Sequence, residues 1–190
     1  MRLKTWCLAW MLAASSWTTA QAAQVPYEGT LVSGTQVTGS VGGFSWFLDQ
    51  GANVDYWRFQ GNAGNTATLF GRRLNGNLDP VLGVYFGTTT ADTSQFVSES
   101  DWGGLLFLGS LDDERPAALT GPNGDPFGSF LLPSTGFYTV VVGGGLSTDA
   151  GFYPYALTVN VVPEPATLGL LAAGLVGVGL LRRRDASRRI

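Results

Sequence analysis

Between residues 24 and 162, glycine or proline interrupts the chain at intervals of about eight to twelve residues, and no apolar pattern of helical period survives between the breaks. Only short elements fit such punctuation. The intervening segments are rich in Val, Thr, Phe, Tyr and Trp, side chains suited to a pleated, half-buried surface. Strands are therefore predicted at Thr30–Thr38, Phe44–Leu48, Tyr56–Gln60, Ala67–Arg73, Val81–Phe86, Phe96–Glu99, Ser129–Leu132, Tyr138–Val142 and Tyr155–Val161. Many short strands at this spacing predict an all-β sandwich or barrel, in one domain large enough to bury a core. In the last strand Tyr155, Leu157, Val159 and Val161 share one face. The Tyr138–Val142 segment is apolar on both faces and belongs in a sheet interior; Trp57 and Phe59 point inward.

Two residue types are almost missing. The chain has no histidine and one cysteine, Cys7. Ser-His-Asp and Cys-His catalysis, His/Cys zinc sites and a disulfide framework are thereby excluded. The formal charge of −3 averages unlike parts. Residues 24–162 hold four basic residues (Arg58, Arg72, Arg73, Arg115) against twelve acidic ones, a charge of −8. Phosphate backbones would be repelled, so nucleic acid is not an expected partner.

The remaining basic residues mark the two ends. Arg2 and Lys4 precede an apolar stretch, Trp6 to Ala14, and Ala20-Gln21-Ala22 supplies the small-x-small pattern that signal peptidase requires. Residues 1–22 thus read as a secretory signal peptide handled by the Sec machinery and cut after Ala22. At the other end Pro163-Glu164-Pro165 precedes sixteen uncharged residues, Ala166 to Leu181, then Arg182-Arg183-Arg184 and Arg188-Arg189. Sixteen helical residues reach about 24 Å, a marginal membrane span, and the arginines place the C-terminus in the cytoplasm. In this order the elements of residues 163–190 resemble the PEP-CTERM sorting signal of Gram-negative bacteria. The resemblance implies recognition by exosortase, a membrane-embedded cysteine protease that cuts near Pro163-Glu164-Pro165. The protein would cross the inner membrane, be held there transiently by its C-terminal helix, and reach the cell surface or the extracellular space. A plain C-terminal anchor is the alternative.

Within residues 23–162, Asp55-Tyr56-Trp57-Arg58-Phe59, Gly64-Asn65-Thr66-Ala67-Thr68-Leu69, Leu78-Asp79-Pro80-Val81-Leu82-Gly83-Val84-Tyr85, the Leu131–Gly143 segment and Tyr155–Val159 occur in the order seen in the bacterial pre-peptidase C-terminal domain. The chain resembles that family over about residues 52–161. The resemblance implies a jelly-roll-like β-sandwich. The Leu111–Ser129 segment is longer and more apolar than that family's acidic loop.

Asp112, Asp113, Glu114 and Asp125 lie within fourteen residues, interleaved with Gly121, Asn123 and Gly124. Clustered hard oxygen donors on a glycine-containing loop suit calcium, which takes six to eight oxygens; a solvated acidic loop is the alternative. Asp79, followed by Pro80, reads as a turn former. Trp102, in Asp101-Trp102-Gly103-Gly104, is the first candidate for stacking on a sugar ring, with a core-capping role equally open. Nothing marks a catalytic pair of carboxylates. The expectation is a non-catalytic exported protein that binds or organises extracellular polysaccharide of a biofilm matrix, or a structural, glycosylated surface-coat protein without a ligand site.

Overall fold

The computed structural model describes residues 24–121, 123–145 and 151–163. Eleven strands occupy them: β1 (Tyr27–Thr30), β2 (Gln36–Gly42), β3 (Asp55–Gly61), β4 (Thr66–Arg73), β5 (Pro80–Phe86), β6 (Leu106–Leu111), β7 (Arg115–Pro116), β8 (Gly124–Asp125), β9 (Phe127–Leu131), β10 (Gly136–Gly144) and β11 (Phe152–Val162). A five-stranded sheet runs β1-β3-β10-β5-β6 and a four-stranded sheet β2-β11-β4-β9, with β7 and β8 forming a small ribbon. All pairings are antiparallel except β1 with β3. The architecture is an all-β sandwich.

One apolar core fills the space between the two sheets. The five-stranded sheet contributes Phe59, Leu82, Val84, Tyr138, Val140 and Val142, and the four-stranded sheet contributes Val41, Ala67, Leu69, Tyr155, Leu157 and Val159. These are the alternate residues of each strand, as the period-2 geometry of a pleated strand requires. Trp57 and Phe59 both point into this core, and β11 turns Tyr155, Leu157 and Val159 inward with Val161 packed at the margin.

The opposite face of the five-stranded sheet is also buried. Tyr56, Val81, Tyr85 and Val141 project there, covered by Val25, Trp46, Phe96, Trp102 and Leu105 from the connecting segments. Gly83 of β5 makes room, since a Cβ there would meet the Trp46 indole. With both faces covered, β10 is apolar on both sides and lies third of five strands, an interior position as its sequence predicts.

The covering aromatics explain the strands that do not form. Phe44–Leu48 is a turn, and Phe96–Glu99 follows a short 3-10 turn, Thr93–Gln95. Trp46 and Phe96 are apolar because they pack on the sheet from loops, not because they belong to one. The predicted Thr30–Thr38 strand divides at Gly34, whose φ of +79° turns the chain from one sheet to the other. β6 was not predicted. Its alternation is broken by Gly109, where the register with β5 shifts between Val84 and Tyr85.

A polar chain pins the sheets together inside this apolar setting. The Trp57 indole N–H donates to the Tyr155 hydroxyl at 2.7 Å, which donates to Asp55 Oδ2 at 2.6 Å. Trp57 and Asp55 lie on β3, Tyr155 on β11. Burial pushes the Asp55 carboxyl above its ordinary value, and the Tyr155 hydrogen bond pulls it part of the way back. Tyr155→Phe removes both bonds and leaves the buried Trp57 N–H without an acceptor. We expect a loss of about 2 kcal/mol in urea unfolding at neutral pH, against a negligible change for the exposed Asn62→Ala.

Candidate metal site

Three loops at one end of the sandwich carry five of the eleven carboxylates among the described residues. These loops join β4 to β5, β6 to β9 and β10 to β11, and the first two place Asp79, Asp112 and Asp113 together. One carboxylate oxygen from each lies within 4.8 Å of the others. Asp79 is buried at 2% exposure, Asp112 is half-buried and Asp113 is exposed. The group therefore grades from the protein interior to solvent.

Local sequence explains the convergence. Pro80 opens β5 and holds the preceding Asp79 in an extended conformation, with the Asp79 carbonyl accepting from the Gly145 N–H at 2.8 Å. Asp79 Oδ2 accepts from the Asn123 side-chain amide at 2.9 Å. Asp112 and Asp113 follow directly on β6, and Asp113 Oδ1 accepts from the Gly124 N–H at 2.8 Å.

Two of the four predicted acidic ligands have other work. Glu114 turns back on its own loop, accepting from the N–H groups of Asp112 and Phe127. Asp125 is 1% exposed and accepts from Arg73 Nε at 2.9 Å, a bond between two fully buried groups. Arg73 also donates to the Gly124 carbonyl and approaches Asp79 Oδ1 at 3.8 Å. A carboxylate already paired with a buried guanidinium is poorly placed to bind a metal, so Asp125 is an anchor of the loop. Asp79 is the third carboxylate of the group. Its side chain is brought in by a contact between distant loops, which sequence spacing does not encode.

Electrostatics sets the character of the group. Burial, then the charges of Asp113, Asp79, Glu114 and Glu99, push the Asp112 carboxyl from 3.8 up to about 6. Asp112 Oδ1 is buried without a hydrogen-bond partner. Such a group favours a cation or a proton.

The other predicted sites are placed differently. Trp102 is 5% exposed, and its ring is held by Phe96, Tyr56 and Tyr85 at centroid distances of 5.5, 5.9 and 6.5 Å. It caps the core, and its faces are not free to stack on a sugar. The exposed Pro163 follows the last residue of β11 directly. Glu164, Pro165, Arg182, Arg183 and Arg184, the signal-cleavage residues Ala20 and Ala22, and the predicted membrane segment 166–181 lie outside the described residues. Among the described residues, no helix is long and apolar enough to cross a membrane.

The raised Asp112 carboxyl fixes a pH dependence. The folded protein retains a proton there that the unfolded chain releases between about pH 4 and 6, so this group lowers stability as pH rises through that window. With chelator present, Asp112→Asn is expected to raise the unfolding free energy at pH 7 by about 1–2 kcal/mol, with little change at pH 4. Urea denaturation at the two pH values measures both.

Comparison with known proteins adds the fold and the address. The chain shares its fold with CorA, a surface-associated copper-binding protein important in copper acquisition by Methylomicrobium album BG8, at 17% identity and a TM-score of 0.52, covering 72% of this chain and 98% of that one. The pre-peptidase C-terminal domain of a Bacillus anthracis collagenase is also similar, at 14% identity and a TM-score of 0.41 over 71% of this chain and 97% of that one. The Aeromonas hydrophila PliG, a periplasmic inhibitor of g-type lysozyme, is 18% identical with a TM-score of 0.39, covering 67% and 84%. A search of curated proteins finds no match. Residues 161–184 match the PEP-CTERM protein-sorting motif, and the chain therefore carries the address of an exported protein handled by exosortase.

Proposed function

We propose that the exported domain works without catalysis, as a calcium-holding module that binds or organises extracellular polysaccharide. The observation that carries the reading is the convergence of Asp79, Asp112 and Asp113 within 4.8 Å. Three carboxylates graded from buried to exposed offer hard oxygens on one side and leave the other open to water, carbonyls or a ligand. Calcium accepts such mixed and flexible shells.

Copper, bound by CorA, is the competing ion. Copper sites draw on imidazole and sulfur donors. This chain has no histidine, and Cys7 falls in the predicted signal peptide. Oxygen donors favour calcium. Arg73, at 3.8 Å from Asp79 Oδ1, opposes any cation and keeps the affinity modest. A dissociation constant of about 10⁻⁴–10⁻³ M, the range of extracellular calcium modules, is expected.

The same missing residues support a role other than catalysis, since the processed chain has neither imidazole nor thiol. A structural or glycosylated surface-coat role is the second reading, favoured by the burial of Trp102, which removes the predicted sugar platform. Retention of the processed protein on exopolysaccharide, lost on adding chelator, supports the first reading; no retention at all leaves the second.

Thermal melting tests the ion. Calcium at ten times its dissociation constant stabilises by about 1.4 kcal/mol, a rise of several degrees. Asp113→Asn keeps the oxygen that accepts from Gly124 and removes the charge, so it is expected to abolish the calcium shift while the protein stays folded. An unchanged melting temperature up to ten millimolar calcium overturns the calcium reading.

A further inference from the structure

The sandwich has two unlike poles. β11 runs from the acidic pole to the sorting motif, and its eleven residues span roughly 33 Å. At its far end Val162 is paired with Thr66, which is paired with Leu131, so the ends of β11, β4 and β9 lie side by side. Four connections start and end at this pole. The three short ones, residues 31–35, 62–65 and 132–135, contain no charged side chain, nor do residues 160–163; the fourth, residues 87–105, carries Asp92, Glu99 and Asp101 and folds over the outer face of the five-stranded sheet.

The same pole exposes apolar side chains. Leu131 is 64%, Val32 63% and Val162 55% exposed. Val162 and Leu131 share the outer face of their sheet through Thr66, and Val32 adjoins Ser33, whose hydroxyl accepts from the Val161 N–H at 2.9 Å. Behind this rim the half-exposed Phe137 carries the Arg58 guanidinium over its ring at 5.5 Å, a cation rather than an anion.

Chain length says what faces this pole. The sorting motif begins at residue 161, inside β11, and only Pro163, Glu164 and Pro165 separate the strand from the uncharged run 166–181. Three to four extended residues reach about 10–14 Å, little more than the polar layer on one side of a bilayer. A domain tethered so closely cannot stand clear of the membrane.

We infer that, before processing, the uncharged rim of this pole, formed by Val32, Leu131, Val162 and their short loops, seats in the headgroup layer of the bilayer, so that the acidic pole points away from the membrane. The inference rests on the reading of residues 166–181 as a membrane span. Uncharged, partly apolar loops tolerate that interface, whereas the carboxylates of the opposite pole would be repelled by anionic lipid. Release by the protease would free the same pole for water.

Site-directed fluorescence tests it. In a Cys7→Ser background the chain has no other cysteine, so Val32→Cys, Leu131→Cys and, at the acidic pole, Phe152→Cys each carry one environment-sensitive label. The full chain is placed in phosphatidylcholine vesicles free of other proteins. Labels at positions 32 and 131 are expected to shift to the blue and be quenched by lipid-borne quencher, and the label at 152 to report water. Vesicle flotation after alkaline washing separates the two ways of failing. A chain that does not float has no membrane span, and the inference falls with that reading. A chain that floats while all three labels report water overturns the inference alone. A shift seen only when exosortase is added to the vesicles also overturns it, and assigns the pole to the protease.

Discussion

The rest of the structure depends on a sheet that must be covered twice. β10 presents Tyr138, Val140 and Val142 to one side and Val141 to the other, and a central strand with two apolar faces is stable only if both are kept from water. The second sheet covers one face. Loops must cover the other, because among the described residues no α-helix lies against it. The demand recruits Trp46, Phe96 and Trp102 into a second cluster and fixes the course of the connections after β2 and β5. It also removes Trp102, the ring singled out for stacking on a sugar, from the surface.

With Trp46, Phe96 and Trp102 committed to the core, the domain keeps its chemistry at the edges of the strands. There the buried ion pair of Arg73 with Asp125 organises the acidic pole. A buried pair contributes little net stability, but each partner would be costly to leave alone. Arg73 therefore holds the β8 and β9 side of the pole against β4, and Asn123 and Gly124 next to it hold the side chains of Asp79 and Asp113. What the sequence spreads over residues 79–125 is gathered by one guanidinium and its neighbours.

The strands with clean alternation or two apolar faces, such as β10 and β11, were legible because periodicity is a local property. Trp46 and Phe96 misled for a physical reason. A loop that buries an aromatic ring has the composition of a strand without its hydrogen bonds. β6 was hidden by Gly109, where a shift in register breaks the alternation. In the acidic loop, clustering alone groups Asp112 and Asp113 with Glu114 and Asp125. That Asp79 lies beside Asp112 and Asp113 while Asp125 pairs with Arg73 depends on contacts set by topology. The sorting motif is linear and was readable in full.

The domain and its address then form one directed object, with the sorting motif leaving one pole and the carboxylates gathered at the other. The claim that joins them is that the chain is cut at both ends and released outside. Intact mass of the protein recovered from the cell exterior measures this directly. The account predicts a species that begins after Ala22 and ends near Pro163-Glu164-Pro165, without the arginine-rich tail. A mature protein that still carries residues 182–190 would contradict it.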